Sequence, residues 1–256
     1  GGGGACADLA GAAGELAPEG MSYQLKIGYG MMAKGKWAAI TESQCRAFVV
    51  WVGELREAGG IRTTQGGLLG VKFFTADVST ETEPGSGVLD VGGSKATTYE
   101  GLKALIAAHN LDVVVSPYSS SLTPYAAKAG LEAGLPVLPN GAAESVYVCP
   151  ECTDPAHCEE VAFNCKQANT RRFDNLVGSI SPAGQYFRDF VSTTALKGAR
   201  RIALVGEGRA FTMQTAAGAR AQAEASNMDI VADVILSASG DASSYTSAES
   251  LVAQHQ

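Results

Sequence analysis

Residues 99–145 constrain the fold of this chain more than any other segment, because helical and strand patterns alternate there over a short distance. Apolar residues recur at helical spacing over 99–110, and residues 112–115 form a short run typical of a strand buried in a parallel sheet. The next helix carries Pro124 in its first turn and stops at Gly134, and a second short strand follows over residues 135–138. The segment therefore predicts the alternating strands and helices of a doubly wound α/β sheet.

A serine-rich turn, Ser119-Ser120-Ser121, follows the first of these strands and precedes the second helix. Serine hydroxyls beside the N–H groups of a helix N-terminus suit a carboxylate or another small anion. The turn also lies past the carboxyl end of a parallel strand, where open α/β sheets bind ligands. These residues and the adjacent Tyr118 are therefore candidates for ligand binding, although serines that only cap the helix would have the same pattern.

The charge and hydropathy of the chain argue against a nucleic-acid interface and against a transmembrane helix. The net charge is −7 and no run of basic residues is longer than two, which argues against a nucleic-acid interface. No stretch of about 18 apolar residues is present, so the sequence predicts no transmembrane helix. The hydrophobic fraction of 46% is ordinary for a globular protein.

Strand and helix patterns also alternate before and after the first segment. The predicted elements before it are a strand over residues 24–29, a helix over 41–58, a strand over 69–76 and a loop over 77–94. Those after it are a helix over residues 184–196, a strand over 201–205, a helix over 212–226 and a strand over 229–236. The helix over 184–196 places Phe187, Phe190 and Val191 on one face. Two α/β units are therefore expected, and the second holds fewer strands than a complete sheet.

These patterns divide the chain into four parts. Residues 1–23 are a flexible Gly/Ala-rich lead-in, 24–145 an N-terminal α/β lobe, 146–182 a cysteine-rich loop and crossover, and 183–256 a partial second α/β lobe. The lead-in lacks the basic start and the apolar core of a signal peptide. Because the chain begins with four glycines rather than Met, we expect it to be a fragment.

Four of the six cysteines fall in one loop rich in Pro, Asp and Glu: Cys149, Cys152, Cys158 and Cys165. Two local disulfides would cross-link such a loop in an extracellular setting, and this is the interpretation we favour. Four thiolates that bind zinc, with His157 as a spare ligand, are an alternative, but the second cysteine pair is spaced too widely for a zinc knuckle. Free thiols are the third alternative. Cys6 and Cys45 lie apart from this loop.

Motifs for catalysis and for cofactors are weak or missing. Gly28-x-Gly30-x-x-Ala33 formally matches a dinucleotide-binding fingerprint, but the next helix starts late and no strand-end acid lies at the expected distance. The sequence contains no nucleophile elbow, no paired-histidine zinc motif and no P-loop. We therefore predict no catalytic residue, no metal site and no cofactor, with a nucleotide-using α/β enzyme at the Gly28 loop as the alternative function.

Seven segments, in order, resemble the type I periplasmic binding protein superfamily, which includes the branched-chain amino-acid binding proteins and receptor ectodomains. They are Leu25-Lys-Ile-Gly28, residues 54–61, Val113-Val-Val-Ser-Pro-Tyr-Ser-Ser120, residues 129–142, Ser181-Pro-Ala-Gly-Gln-Tyr186, Arg200-Arg-Ile-Ala-Leu-Val205 and Gly240-Asp-Ala-Ser-Ser-Tyr245. The resemblance runs from about residue 24 to the end of the chain. It implies two α/β lobes with doubly wound parallel sheets that close over a small ligand, here with the second lobe incomplete.

The resemblance assigns roles to matching positions. Ser120, at the family's serine position, would bind a ligand carboxylate through its hydroxyl and N–H group. Gly141 and Ala142 would line the cleft with backbone groups. Trp37 and Phe211 approximate aromatic residues that the family places beside the ligand, one from each lobe.

Two departures from the family pattern bear on the ligand. Where amino-acid binders usually have Thr after Gly-Ala, this chain has Ala143, so a hydroxyl that helps to hold the α-amino group is missing. Glu144 is the candidate to replace it as the partner of an ammonium group, although a solvated glutamate fits the position equally well. The aspartate expected after the second-lobe strand is Glu207.

The implied function is non-catalytic binding of a small solute, an amino acid or a related carboxylate, in a periplasmic or extracellular setting. The implied partners are the small-molecule ligand, an ABC-type membrane transporter or a transmembrane signalling domain, and a second copy bound through the N-terminal lobe. A degenerate extracellular interaction domain is a further alternative. Because closure needs two complete lobes around a hinge, we expect this chain alone to bind weakly or not at all.

Overall fold

The computed structural model describes residues 4–18, 23–35, 37–79, 95–141, 143–147, 172–178, 181–208 and 210–236, with four positions between 246 and 253. The four cysteines of the predicted disulfide loop lie outside these residues. The chain divides into two compact units, unit 1 of Gly1–Gly141 and Arg171–Ser179 and unit 2 of Ala142–Thr170 and Ile180–Gln256. The lobe limits proposed above stay predictions.

Unit 1 is built on parallel strands joined by helices. Its elements are α1 (Ala5–Ala10), a 3₁₀ turn (Ala12–Gly14), β1 (Glu15–Leu16), β2 (Gln24–Met31), α2 (Ala38–Glu57), β3 (Ile61–Arg62), β4 (Leu68–Asp77), α3 (Lys95–His109), β5 (Val113–Val115), α4 (Thr123–Glu132) and β6 (Val137–Leu138). The strand order is β1-β4-β2-β5-β6, with β3 also paired to β4. The four central strands are parallel, and β1 and β3 pair antiparallel with β4. The predicted α/β fold is confirmed.

The helix ends of unit 1 follow from local backbone geometry. Asn110 after α3 and Gly134 after α4 have φ values of 49° and 69°, in the left-handed region that ends a helix. Pro124 lies in the first turn of α4, where its missing N–H costs nothing. These features confirm the predicted ends. The starts of α2 and α3 lie at Ala38 and Lys95, earlier than predicted, because no apolar spacing marks their first turns.

Gly28 and Gly30 lie inside β2, where a side chain would collide with its neighbours. A Cβ on Gly28 would lie 2.3 Å from Cδ1 of Leu111, and one on Gly30 would lie 3.2 Å from Cδ of Pro117. The glycines therefore allow close packing on the sheet and do not form a loop that surrounds a phosphate. The formal match to a dinucleotide fingerprint is a packing feature, and the nucleotide-using alternative is not favoured.

Residues 5–16 are folded onto the sheet, and we call them the N-terminal clasp. Leu9 and Leu16 belong to the apolar core on the α2 side of the sheet, and β1 extends the sheet beyond β4. Cys6 forms a disulfide with Cys45 of α2. The prediction of a flexible lead-in is therefore wrong for these residues. Two leucines in a Gly/Ala-rich segment give no periodic signal, so the sequence did not reveal the clasp.

Unit 2 is described over four larger elements, one short helix and one 3₁₀ turn. They are α5 (Glu144–Tyr147), a 3₁₀ turn (Ala183–Gln185), α6 (Arg188–Leu196), β7 (Arg201–Glu207), α7 (Ala210–Ala225) and β8 (Asp229–Leu236). β7 and β8 are parallel, as predicted. In the part of the chain that the structure describes, no helix is both long and apolar enough to cross a membrane.

The predicted helix over residues 184–196 is divided, and only part of its apolar face is buried. The 3₁₀ turn precedes α6, which begins at Arg188. Val191 is 1% exposed, whereas Phe187 and Phe190 are 49% and 62% exposed. Helical spacing places residues on one face of a helix, but it does not show how much of that face the neighbouring elements cover.

Candidate ligand-binding site

The order of the parallel strands in unit 1 reverses between β2 and β5. The chain passes from β2 through α2 to β4 on one side, and from β4 through α3 to β5 on the other side of β2. In open α/β sheets, ligands bind beyond the carboxyl ends of the strands at such a reversal. The turns that follow β2 and β5 carry Trp37 and Tyr118, so both candidates lie where this rule places a ligand.

Five apolar side chains meet beyond these strand ends, and we call them the aromatic shelf: Met32, Trp37, Val78, Tyr118 and Leu122. The rings of Trp37 and Tyr118 make an edge-to-face contact, with centroids 5.2 Å apart and 61° between their planes. Met32, Val78 and Leu122 are at most 3% exposed, whereas both rings are only partly buried. The five residues come from the turns after β2, β4 and β5, so three strands position the ring pair.

Asp77, at the end of β4, holds the turn that leads to Trp37. Its Oδ1 accepts hydrogen bonds from the N–H groups of Ala33 and Ser79, at 3.2 and 2.9 Å, and from the Ser79 hydroxyl at 2.5 Å. Burial raises the pKa of Asp77, but the hydrogen bonds from Ser79 and Ala33 and the charge of Lys34 outweigh it, so the pKa lies below its usual value. The ionised carboxylate therefore ties the turn after β2 to the turn after β4.

The first turn of α2 is joined to the same region. The N–H group of Thr41 donates to the carbonyl oxygen of Trp37 at 2.9 Å, and its hydroxyl accepts from the N–H group of Met32 at 3.4 Å. One helical turn later, Cys45 carries the disulfide to Cys6. The N-terminal clasp is thus attached to the helix that begins at the aromatic shelf.

The serine turn is closed by hydrogen bonds from Ser119. Its carbonyl oxygen accepts from the N–H groups of Leu122 and Thr123 at 3.2 and 3.1 Å, and its hydroxyl accepts from the N–H group of Ser121 at 3.1 Å. The hydroxyl oxygens of Ser119 and Ser121 are 2.6 Å apart. Some of the N–H groups expected to bind an anion are therefore used within the turn. Ser119 has a structural role, and Ser120 lies in the middle of the turn.

A buried polar network supports the serine turn. The hydroxyl of Ser116, which is 0% exposed, accepts from the N–H group of Asn140 at 2.8 Å and lies 3.2 Å from the hydroxyl of Thr123. The side-chain amide of Asn140 donates to the Ser116 carbonyl oxygen at 2.8 Å. The network joins the end of β5, the start of α4 and the end of β6. Sequence reasoning missed these three residues, although each is polar and lies within two residues of a predicted strand or helix end.

Gly141 lies directly against the serine turn. A Cβ there would lie 2.6 Å from Cα of Ser120 and 2.6 Å from Oγ1 of Thr123, so no larger residue fits. The structure therefore brings Gly141 together with the serine turn, just as it brings Trp37 together with Tyr118. The ligand-binding roles of these residues stay predictions.

The remaining candidates belong to unit 2. Ala142 lies outside the described residues, and for Glu144 only the helical backbone of α5 is described. Phe211 lies in the first turn of α7, beyond the carboxyl end of β7, and its ring is 5.3 Å from that of Tyr186 at an angle of 75°. Sequence reasoning missed Tyr186 as a site candidate, although it ends one of the family-like segments. Among the described side chains, no cluster of His, Cys, Asp and Glu could hold a metal ion.

Neither a protein-family model nor a curated protein matches the sequence. Solved structures match the fold. An ABC-transporter substrate-binding protein from Sphaerobacter thermophilus is 17% identical, with a TM-score of 0.61 over 90% of this chain and 53% of its own. A solute-binding protein from R. palustris in complex with benzoate is 17% identical, with a TM-score of 0.58 over 89% and 53%. The branched-chain amino-acid binding protein of Streptococcus pneumoniae in complex with isoleucine is 19% identical, with a TM-score of 0.53 over 85% and 51%.

These likenesses confirm the predicted type I periplasmic binding protein fold. The chain spans about half the length of the structures that it matches. The matched proteins are solute-binding or substrate-binding proteins of transporters.

Proposed function

We propose that the chain binds a small carboxylate-bearing solute at the carboxyl edge of unit 1. The observation that carries the proposal is the position of the serine turn, which follows β5 at the reversal of the strand order and directly contacts Gly141. The fold supports it, since matching structures hold benzoate and isoleucine, two molecules that share a carboxylate.

By this proposal, Ser120 binds the carboxylate, and Ser121 and the backbone of Gly141 complete the polar side of the site. Trp37 and Tyr118 contact the apolar part of the ligand. Ala142, Glu144 and Phe211 are proposed as further contacts from unit 2. None of these residues has a catalytic role.

We place this binding function outside the cytoplasm, in the uptake of a solute by an ABC-type transporter. The support is the fold, which the chain shares with proteins of that kind. A signalling partner and a dimer through the N-terminal lobe are predictions from the sequence alone. A degenerate interaction domain is the competing function.

Saturation-transfer NMR on the 256-residue chain, with benzoate and isoleucine as probes, tests the proposal, because the method also detects weak binding. We expect transfer to at least one acid, and we expect Ser120→Ala to abolish it. Ser43→Ala is the matched control, since the Ser43 hydroxyl is exposed and bonds to Ala39 of its own helix at 3.0 Å. Transfer that survives Ser120→Ala would contradict the proposal.

A further inference from the structure

We infer that the Cys6–Cys45 disulfide is a redox switch that controls whether the N-terminal clasp stays on unit 1. With the bond formed, the clasp covers the edge of β4 that faces away from β2. With the bond reduced, the clasp leaves that edge while the remainder of unit 1 stays folded. The clasp shares no residue with the proposed solute site, so the switch is separate from solute binding.

The non-covalent contacts of the clasp are weak for a segment of its length. α1 has only six residues, and a helix of this length is not stable alone in water. β1 pairs only Glu15 and Leu16 with β4. The side chains of Glu15 and Lys72 form an ion pair at 2.9 Å, but each is 36% exposed, and exposed pairs contribute little to stability.

Two leucines supply most of the apolar contact of the clasp. Leu9 and Leu16 are 0% and 5% exposed and lie in the same core cluster as Val52 and Val71. Ordering the backbone of residues 5–16 costs conformational entropy at every position, which offsets the burial of two side chains. The closed clasp therefore depends on the disulfide.

The disulfide joins the clasp to an element that stays in the core. Cys45 lies in α2 and is 0% exposed. A cross-link between positions 39 residues apart removes chain entropy that corresponds to roughly a thousandfold change in an equilibrium constant. After reduction, β2 and β4 remain paired with each other over the eight residues of β2, so the clasp can leave without them.

Reduction by a dithiol takes two exchange steps. A thiolate of the dithiol attacks Sγ of Cys6, which is only partly buried, forms a mixed disulfide with it and expels Cys45 as a thiolate. The second thiolate of the reductant then displaces Cys6 and closes the reductant into a cyclic disulfide. Overall, the protein disulfide gains two electrons and two protons, and the dithiol loses the same number.

Release of the clasp uncovers a strand edge and a thiol. The backbone groups of Val71 and Lys72 lose the partners that β1 provides, and an unpaired edge pairs readily with another extended chain. The sulfur of Cys45, which is bonded to Cys6 of the closed clasp, loses its cover on that side. The reactivity of the Cys45 thiol therefore reports whether the clasp is open.

Cys6→Ala tests the switch without a reductant, because it leaves Cys45 as a free thiol and keeps the four cysteines of the loop. The 256-residue variant is treated with N-ethylmaleimide, and peptide mass spectrometry follows the rate at which Cys45 is alkylated. The variant in denaturant gives the rate of a fully exposed thiol. Hydrogen–deuterium exchange of the clasp and of β2 is recorded for the variant, for the oxidised wild type and for the wild type in dithiothreitol.

We expect Cys45 of the folded variant to be alkylated within about tenfold of the rate in denaturant. The clasp amides should exchange about 100- to 1,000-fold faster than in the oxidised wild type, because the cross-link no longer limits opening. In the same sample, the amides of β2 should exchange at least about 100-fold more slowly than those of the clasp. Dithiothreitol should give the wild type the exchange pattern of the variant.

Three results would overturn the switch. An unreactive Cys45 in Cys6→Ala, with the clasp as protected as in the oxidised wild type, would show that non-covalent contacts are sufficient to hold the clasp. Equal exchange of the clasp and β2 would show that the clasp opens only when the whole unit unfolds. A disulfide that resists dithiothreitol in the folded chain would show that the bond is a permanent cross-link.

Discussion

Both units place an edge-to-face aromatic pair beyond the carboxyl end of a parallel strand, but they hold the two pairs differently. In unit 1, Trp37 and Tyr118 pack on side chains that are nearly fully buried, and polar groups tie the surrounding turns together. In unit 2, Tyr186 beside Phe211 is 46% exposed. The difference indicates that, among the described residues, the aromatic pair of unit 1 is held more firmly than that of unit 2.

The sheet of unit 1 is also more buried than the sheet of unit 2. The central strands of unit 1 have buried residues on both faces, such as Tyr29 and Val114. In unit 2, Val205 of β7 and Ile235 of β8 are 48% and 45% exposed. Since parallel sheets are normally covered on both faces, the described elements of unit 2 cover its sheet on one side only.

The aromatic pair of unit 2 depends on one close backbone approach. A Cβ on Gly218 of α7 would lie 1.8 Å from the carbonyl oxygen of Gly184, so the 3₁₀ turn packs directly on the helix. This contact brings Tyr186, which follows the turn, beside Phe211. Among the described residues, a close backbone contact therefore supports the pair of unit 2, where hydrogen bonds support the turns around the pair of unit 1.

Removal of the Cys6–Cys45 disulfide should have the largest effect on stability. The cysteines are 39 residues apart, and the loop-entropy model gives about 4 kcal/mol for a loop of this length. We expect the double variant Cys6→Ala, Cys45→Ala to lower the urea midpoint of unit 1. Both tryptophans lie in unit 1, so their emission reports on this unit alone. An unchanged midpoint would show that the clasp does not stabilise the unit.

Gly218→Ala should have the next largest effect, in unit 2. The new methyl group meets backbone rather than a flexible side chain, and overpacking of this kind costs about 1 to 3 kcal/mol or more. Gly53→Ala is the matched control, because that position in α2 has no atom within 4 Å and should gain about 0.5 to 1 kcal/mol from helix propensity. Thermal unfolding followed by circular dichroism measures both. Equal stability of the two variants would contradict the close approach.

The sequence predicted most of the regular elements of both units, because their signals are local. The apolar run of β5, Pro124 and Gly134 each act within a few residues, and each prediction agrees with the structure. The same locality explains why Tyr118 was found as a candidate, since it follows a predicted strand, whereas Trp37 was proposed from the family resemblance. Local pattern is therefore sufficient for most element types and for the sheet edge at which Tyr118 lies.

What the sequence did not reveal depends on contacts between distant residues. The pairing of Cys6 with Cys45 joins segments that have no shared pattern. The network of Ser116 with Asn140 links residues 24 positions apart, and neither residue is unusual in its own segment. The exposure of Phe190 depends on how much of its ring the neighbouring elements cover. Such features require the assembled structure.

The contribution of Asp77 should depend on pH. Its pKa is lower in the folded chain than its usual value, so its stabilisation is complete above the unfolded pKa and is lost as the pH falls through the folded value. We expect the stability difference between the wild type and Asp77→Asn to be largest near neutral pH and to shrink below about pH 4. Urea midpoints from tryptophan emission measure this difference. A stability difference that stays constant with pH would contradict the role of an ionised Asp77 in linking the turns after β2 and β4.

Phe190→Ser should have the smallest effect, because the ring is 62% exposed and surface substitutions change stability by less than about 0.5 kcal/mol. Its neighbour in α6, Val191, is 1% exposed, and Val191→Ala should cost about 1.5 to 2 kcal/mol through the loss of two buried methyl groups. Thermal unfolding followed by circular dichroism compares the two variants. If Phe190→Ser is as destabilising as Val191→Ala, then the ring is covered in solution, and unit 2 is enclosed to the same degree as unit 1. A small effect at Phe190 with a large one at Val191 confines the core of unit 2, in the part that the structure describes, to one side of α6.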